Sequence, residues 1–203
     1  AGRWIFGDSN YDAGRVVIVR NATDFKRFKP DKIKTEKLKR ELGLTDKLVI
    51  GHIGRFTYAK NHEFLLDVFK KLSEIREDAV LLLVGDGELN QTIHNLVKRK
   101  GLESRVVFTG QVSTPEQYYK LASVIVVPSI FEGLSLTTIE SQIAGVPAVV
   151  SEAIPEEAVI SDGVVRLNLK SPNWINSILS MENKTVVLNE KSINYDIYDD
   201  GGI

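Results

Sequence analysis

Two carboxylates and two cations are the residues of this sequence whose types and spacing could do chemistry together. Glu132 and Glu140 stand eight residues apart in Glu132-Gly133-Leu134-Ser135-Leu136-Thr137-Thr138-Ile139-Glu140. Arg55 and Lys60 stand five apart in Gly54-Arg55-Phe56-Thr57-Tyr58-Ala59-Lys60-Asn61-His62. On one continuous helix, eight residues would leave two side chains roughly 80° apart. With Glu132 in a loop before the helix, both carboxylates can converge on one cleft. A half-buried carboxylate at Glu140 would accept hydrogen bonds from vicinal hydroxyls. Two cations beside a helix N-terminus would neutralise a pyrophosphate. Plainer readings stand beside these. Thr137-Thr138-Ile139-Glu140 fits a capping box with Thr137 as N-cap, and Arg55 and Lys60 fit solvated loop charges.

The flanking pattern says what would position these groups. Val124 to Val127 is an unbroken apolar run, β-branched and short, as in a strand buried on both faces. Pro128 ends it because proline cannot donate to the ladder. Gly133 allows a close turn, and a helix is predicted next with Leu136, Ile139 and Ile143 facing the core. Gly145 and Pro147 stop that helix, and Val149-Val150 starts another strand. A buried strand, a glycine turn and a helix N-terminus make an anion-binding edge.

The same alternation runs along the chain. Strands are predicted at 15–20, 47–53, 79–84, 105–108 and 163–169, with a turn at Asn21-Ala22-Thr23-Asp24 and Phe25 and Phe28 pinning that segment. Helices are predicted at 32–42 (Ile33, Leu38 and Leu42 inward), through Phe64 to Leu72, at 89–100, from Thr114-Pro115 to Ala122, and at 172–179 with Trp174 and Ile178 inward. Near-continuous apolar strands alternating with helices predict an α/β fold: a Rossmann-like, doubly wound parallel sheet of about six strands, covered on both faces. Gly85-Asp86-Gly87 reads as a tight turn rather than a phosphate loop.

Phe-Glu-Gly-Leu-Ser at 131–135, the Glu-x7-Glu spacing that ends at Glu140, and Ala144-Gly145-Val146-Pro147 resemble the donor-site signature of retaining glycosyltransferases of family 4, group 1 type. Gly54-Arg55 followed by Lys60-Asn61 resembles that family's diphosphate-binding loop. The resemblance covers roughly residues 10–180 and implies the C-terminal, donor-binding half of a GT-B fold. It implies that Glu140 binds ribose hydroxyls and that Glu132, the candidate catalytic residue, faces the donor sugar. It implies that Arg55, Lys60 and the amides of Gly133, Leu134 and Ser135 hold the diphosphate, and that the backbone at Gln111 and Val112 borders the nucleobase. The sequence departs from the family at Ala22-Thr23, where a glycine is expected, so no ligand contact is assigned there. No residue is assigned as general base.

Composition is ordinary for a globular protein: 203 residues, 43% hydrophobic and 26% charged. A net charge of −1 supplies no field to attract nucleic acid. There is no cysteine, hence no disulfide or thiolate metal site, which fits a reducing compartment. The resemblance implies that no metal or other cofactor is used, and the sequence is consistent with that: His52, His62 and His94 are scattered and read as structural or solvated, with no cluster of ligand spacing. Apolar runs of six or seven residues are far short of a membrane span, and no signal peptide is visible. Residues 1–14, which carry the large apolar Trp4-Ile5-Phe6, read as the end of a preceding domain or linker, and 181–203 as a weakly patterned tail cut before a crossover helix. For the full-length enzyme the resemblance implies a UDP- or GDP-sugar donor and hexose transfer to a glycan or lipid-linked acceptor in polysaccharide biosynthesis. Its place would be the cytoplasm, with peripheral association at the inner face of the plasma membrane. A GT-B nucleotide-sugar epimerase and a non-catalytic nucleotide-binding module are the alternatives.

Overall fold

Six apolar runs become six parallel strands, in a computed structural model that describes residues 5–16, 23–29 and 31–189. They are β1 (Leu48–Ile53), β2 (Ala79–Val84), β3 (Val106–Gly110), β4 (Val124–Val127), β5 (Ala148–Ser151) and β6 (Val164–Leu167). β1, β2, β4 and β5 are buried along their whole length, which is why their sequences carry no polar alternation. The helices are α1 (Asp8–Asp12), α2 (Lys32–Glu41), α3 (His62–Ile75), α4 (Asn90–Arg99), α5 (Glu116–Tyr119), α6 (Leu136–Ile143) and α7 (Trp174–Met181). The expected strand at 15–20 falls largely outside the described residues, as do Trp4, the first half of the 21–24 turn and the tail beyond 189. The chain before 190 returns to the body: Lys184 pairs with Asp162 at 2.8 Å, and Leu188 bridges Ser161.

Alternate residues of each strand feed two cores. Leu48, Ile50, Leu81, Leu83, Val124 and Val126 pack beneath α3, α4 and α7. Val49, Ile53, Leu82, Ile125, Val127 and Val150 pack against α6, Tyr119, and Phe28 of a 3-10 turn over Phe25–Phe28. Trp174 and Ile178 point inward as expected, and the Trp174 Nε1 donates to the Asn168 carbonyl at 3.0 Å.

Three local expectations need correction. Ile33 is 84% exposed, because α2 lays only its C-terminal half, Leu38 and Leu42, on the core. α5 is one turn long and stops at Tyr119 rather than Ala122, since successive tight turns (Leu121 N to Tyr118 O, Ala122 N to Tyr119 O) carry the chain straight into β4. Leu136 is 43% exposed: as the first residue of α6 it projects beyond the sheet edge, and the buried face is Thr138, Ile139, Ser141 and Gln142.

The strand order is β3-β2-β1-β4-β5-β6. From β1 the chain moves outward through β2 to β3, whereas from β4 it moves the other way through β5 to β6. The loops leaving the carboxyl ends of β1 and β4 therefore part in opposite directions and open a crevice, the topological switch point of a doubly wound sheet.

Candidate functional site

That crevice collects the chemistry. The loop after β1 ends in Asn61, whose backbone is left-handed at φ 56° and whose side-chain amide donates to the Pro128 carbonyl at 3.1 Å. Asparagine is one of the few residues to enter that region cheaply. The Ile130 N–H donates to the Ala59 carbonyl at 2.8 Å, so the loops after β1 and β4 are tied at two points.

On this frame Lys60 meets Glu132: Nζ lies 2.5 Å from Oε1, with the side chains 17% and 14% exposed. The Ser129 hydroxyl donates to the same Oε1 at 2.9 Å. Behind them stands a pair of buried histidines, ring centroids 4.7 Å apart. His52 hydrogen-bonds the Val126 carbonyl through Nδ1 at 2.8 Å, which requires the Nδ1–H tautomer, and burial lowers its pKa to about 4. Burial, with His52 and Lys60 nearby, takes His62 down to about 2, and neither of its ring nitrogens has a hydrogen-bond partner. Both imidazoles are neutral and structural. His94 stacks on Phe108 at 3.8 Å, away from them. Among the described residues no three His, Cys, Asp or Glu side chains gather as a metal site.

Arg55 goes elsewhere. It is 76% exposed with Nε 3.8 Å from Glu88, and it lines a cavity of about 620 Å³ with Asp86, Glu88, Gln111 and Val112. The sequence groups the two cations, while the structure puts Arg55 with the Gln111-Val112 border and Lys60 with Glu132. Gly85 and Gly87 allow that cavity floor to close. A Cβ on Gly85 would lie 2.0 Å from the Gly54 carbonyl oxygen, and one on Gly87 2.5 Å from that of Phe56. The two glycines serve a backbone-to-backbone seam, consistent with a turn and not a phosphate cradle.

Ser135 takes the N-cap position of α6 at φ 63°, and its hydroxyl meets that of Thr138 at 2.9 Å. Thr137 lies inside the helix and donates to the Ile53 carbonyl at 2.9 Å, so the capping box with Thr137 as N-cap does not form. Glu140 is therefore free of a capping role. The N–H groups at the start of α6, ahead of the first intrahelical bond from Thr138, have no helical partner. Gly133 is exposed in the loop just before them, and Leu134 packs on the core.

One turn on, Glu140 shares a face with Leu136 and lines a second cavity, of about 410 Å³, with Arg27, Phe28, Glu116 and Pro115. Pro115 also walls the first cavity, so the two adjoin. Glu140 Oε2 accepts a hydrogen bond from the Tyr119 hydroxyl at 2.7 Å. Burial pushes the Glu140 pKa up, and the phenol and Arg27 pull it back. Arg27 and Glu116 pair at 3.0 Å on the rim. Tyr119, Ser129, Arg27, Asp86 and Glu88 are site neighbours that sequence reasoning missed; no spacing rule ties a tyrosine or serine in one βα unit to a carboxylate in the next.

The family profile described as Glycosyl transferases group 1 matches residues 34–191. EpsF of Bacillus subtilis, named as a glycosyltransferase, is 36% identical over 174 residues, covering 85% of this chain and 45% of EpsF. An Escherichia coli protein named UDP-Gal:alpha-D-GlcNAc-diphosphoundecaprenol alpha-1,3-galactosyltransferase is 30% identical over 144 residues, 66% of this chain and 37% of that one. The chain thus spans less than half the length of these relatives. The crystal structure of Anabaena Alr3699/HepE in complex with UDP and glucose superposes with a TM-score of 0.72 at 23% identity, covering 83% of this chain and 47% of that one. The C-terminal domain of the glycosyl transferase group 1 protein LpcC from Francisella tularensis superposes at 0.65 and 19% identity, covering 79% of this chain and 87% of that domain. These structural likenesses show a shared fold, and the domain is one half of a GT-B architecture.

Proposed function

The chain belongs to the group 1 glycosyl transferases, and from that premise we propose that it is the nucleotide-sugar-binding half of a retaining, family 4 enzyme that works without a metal. The observation that supports this reading is the Lys60–Glu132 pair at the β1/β4 switch point, with α6 starting just after Glu132 and Glu140, one turn into that helix, lining a cavity. The nucleobase lies in the cavity bordered by Gln111 and Val112. Glu140 accepts from the ribose hydroxyls in the adjoining cavity. Arg55, Lys60 and the amides of Gly133, Leu134 and Ser135 meet the diphosphate, whose charge grows as its bond to the sugar breaks. Glu132, beside Lys60, faces the sugar.

In the longer protein a second domain supplies the acceptor, a glycan or a lipid-linked sugar, and the product is a hexose-extended glycan for polysaccharide biosynthesis. That enzyme works in the cytoplasm, at the inner membrane face where its acceptor is lipid-linked. No described helix is long and apolar enough to cross a membrane. Alone, the chain binds donor and transfers nothing, since positioning both reactants accounts for about 7–11 kcal/mol of a barrier. Titration calorimetry with UDP and GDP tests the reading. Glu140→Gln should weaken the bound nucleotide by about 1–3 kcal/mol, as for a hydrogen bond that loses its charge, with the melting temperature nearly unchanged. Equal affinity in the variant would refute the ribose contact, and sugar transfer by the 203-residue chain alone would refute the division of labour.

A further inference from the structure

We propose that Tyr119 is a positioning residue for the nucleotide's ribose: its phenol holds one oxygen of Glu140 from the buried side and leaves the other to the vicinal hydroxyls. This rests on the reading of Glu140 as the ribose contact. Tyr119 is the last residue of α5 and is fully buried, with its ring 5.9 Å from that of Phe28. A tyrosine in such a place needs a partner for its hydroxyl. It finds one across the gap between α5 and α6, donating to Glu140 Oε2 at 2.7 Å. A carboxylate has two oxygens and about four acceptor sites. With Oε2 held in the protein, the carboxylate has its second oxygen left for the cavity that Glu140 lines. A glutamate side chain has three rotatable bonds, and a ligand that had to order them would bind less well.

The charges around Glu140 make the phenol the more useful. Arg27, from the turn over Phe25–Phe28, and Glu116, from the start of α5, both face it with opposite effects, and they pair with one another at 3.0 Å. Thr137, on α6 with Glu140, flanks the phenol. Burial and the neighbouring carboxylate push the phenol well above its ordinary pKa, so it stays a donor at any working pH. Its hydrogen bond favours the ionised carboxylate, against the burial that disfavours it.

Tyr119→Phe keeps the ring and removes only the hydroxyl. The test is calorimetry on the wild-type chain, Tyr119→Phe, Glu140→Gln and the double variant, with UDP, GDP and their 2′,3′-dideoxy counterparts. The wild type should prefer the ribonucleotide, and Glu140→Gln should erase that preference. Tyr119→Phe should lose about five- to tenfold in ribonucleotide affinity, the scale of one net hydrogen bond. It should leave dideoxynucleotide affinity and melting temperature nearly unchanged, and have no further effect in the Glu140→Gln background. Its ribonucleotide affinity should also fade at a higher pH on acidification than the wild type's, because a carboxylate without its donor protonates sooner. Equal losses for both sugars, with a lowered melting temperature, would make Tyr119 a packing residue and overturn the proposal. So would an unchanged preference in Tyr119→Phe. If Glu140→Gln keeps the preference, or the wild type binds neither nucleotide, the ribose reading fails first and this inference with it.

Discussion

Glu132→Gln should tighten binding of a free nucleoside diphosphate. Lys60 cannot give its full charge to a phosphate while its Nζ sits 2.5 Å from Glu132 Oε1, with both side chains more than four-fifths buried. At an effective dielectric of about 20, two charges at that range attract by about 5–7 kcal/mol before the cost of desolvating them. The desolvation cancels most of this, and a net of about 1–2 kcal/mol remains to be given up when the diphosphate takes the lysine. Glutamine keeps the shape and still accepts from Ser129, but it releases the charge of Lys60 and removes an anion beside the incoming phosphates. UDP or GDP should then bind about five- to thirtyfold more tightly, which is 1–2 kcal/mol. On the proposed placement of Glu132 toward the donor sugar, the same change should lower sugar transfer by the longer protein. Calorimetry at low and high salt gives the answer. Unchanged or weaker diphosphate binding by Glu132→Gln would show that Lys60 does not leave this pair for the phosphates, and the placement of the diphosphate would have to change.

Three further outcomes follow from the same geometry. Lys60→Ala and Arg55→Ala should each weaken UDP or GDP far more than the bare nucleoside, and added salt should erode the difference; equal losses for nucleoside and diphosphate would remove these cations from the phosphate site. Stability should fall on acidification through the buried histidines. His52 and His62 are held to about 4 and about 2 when folded, whereas an unfolded chain takes up those protons near pH 6.5, so the contribution is present above pH 6.5 and is lost as pH falls toward 4 and below. His52 alone should account for roughly 3 kcal/mol between pH 6.5 and 4, and urea titrations of His62→Phe at pH 8 and pH 5 should show a flatter dependence than the wild type's.

The sheet was legible because its strands are buried on both faces. Leu48 to Ile53, Ala79 to Val84 and Val124 to Val127 need no alternation to be recognised, and the punctuation around them (Gly54, Gly85, Pro128) marks where the chain leaves the sheet. The order of the strands is not in any local pattern, so the switch point between β1 and β4 had to come from the structure or from resemblance. Helix phase was harder. Leu136 looks like a core residue in a periodic pattern, but the first residue of a helix at a sheet edge has nothing above it to pack on. Thr137 has the right neighbour at Glu140 for a capping box, and a tertiary bond to Ile53 takes its hydroxyl instead. Proximity in sequence suggested Arg55 and Lys60 as a pair; the turn at Tyr58–Lys60 sends one toward Glu88 and the other toward Glu132.

The stitching of the two loops has a consequence for how the domain comes to bind anything. Lys60 and Glu132 are 72 residues apart, and Asn61 reaches Pro128 across 67. Contacts of that span close long loops and tend to form after local helices and the nearer β1–β2 pairing. A chain that has assembled β1, β2 and β3 alone already possesses Arg55, Gln111 and Val112, but lacks the wall that carries Glu132 and Glu140. Nucleotide capture is then withheld until the second half of the sheet has docked on the first. Ligand binding during refolding should accordingly lag the growth of helix signal, and a nucleotide would serve as a reporter that distinguishes the finished domain from its compact precursors.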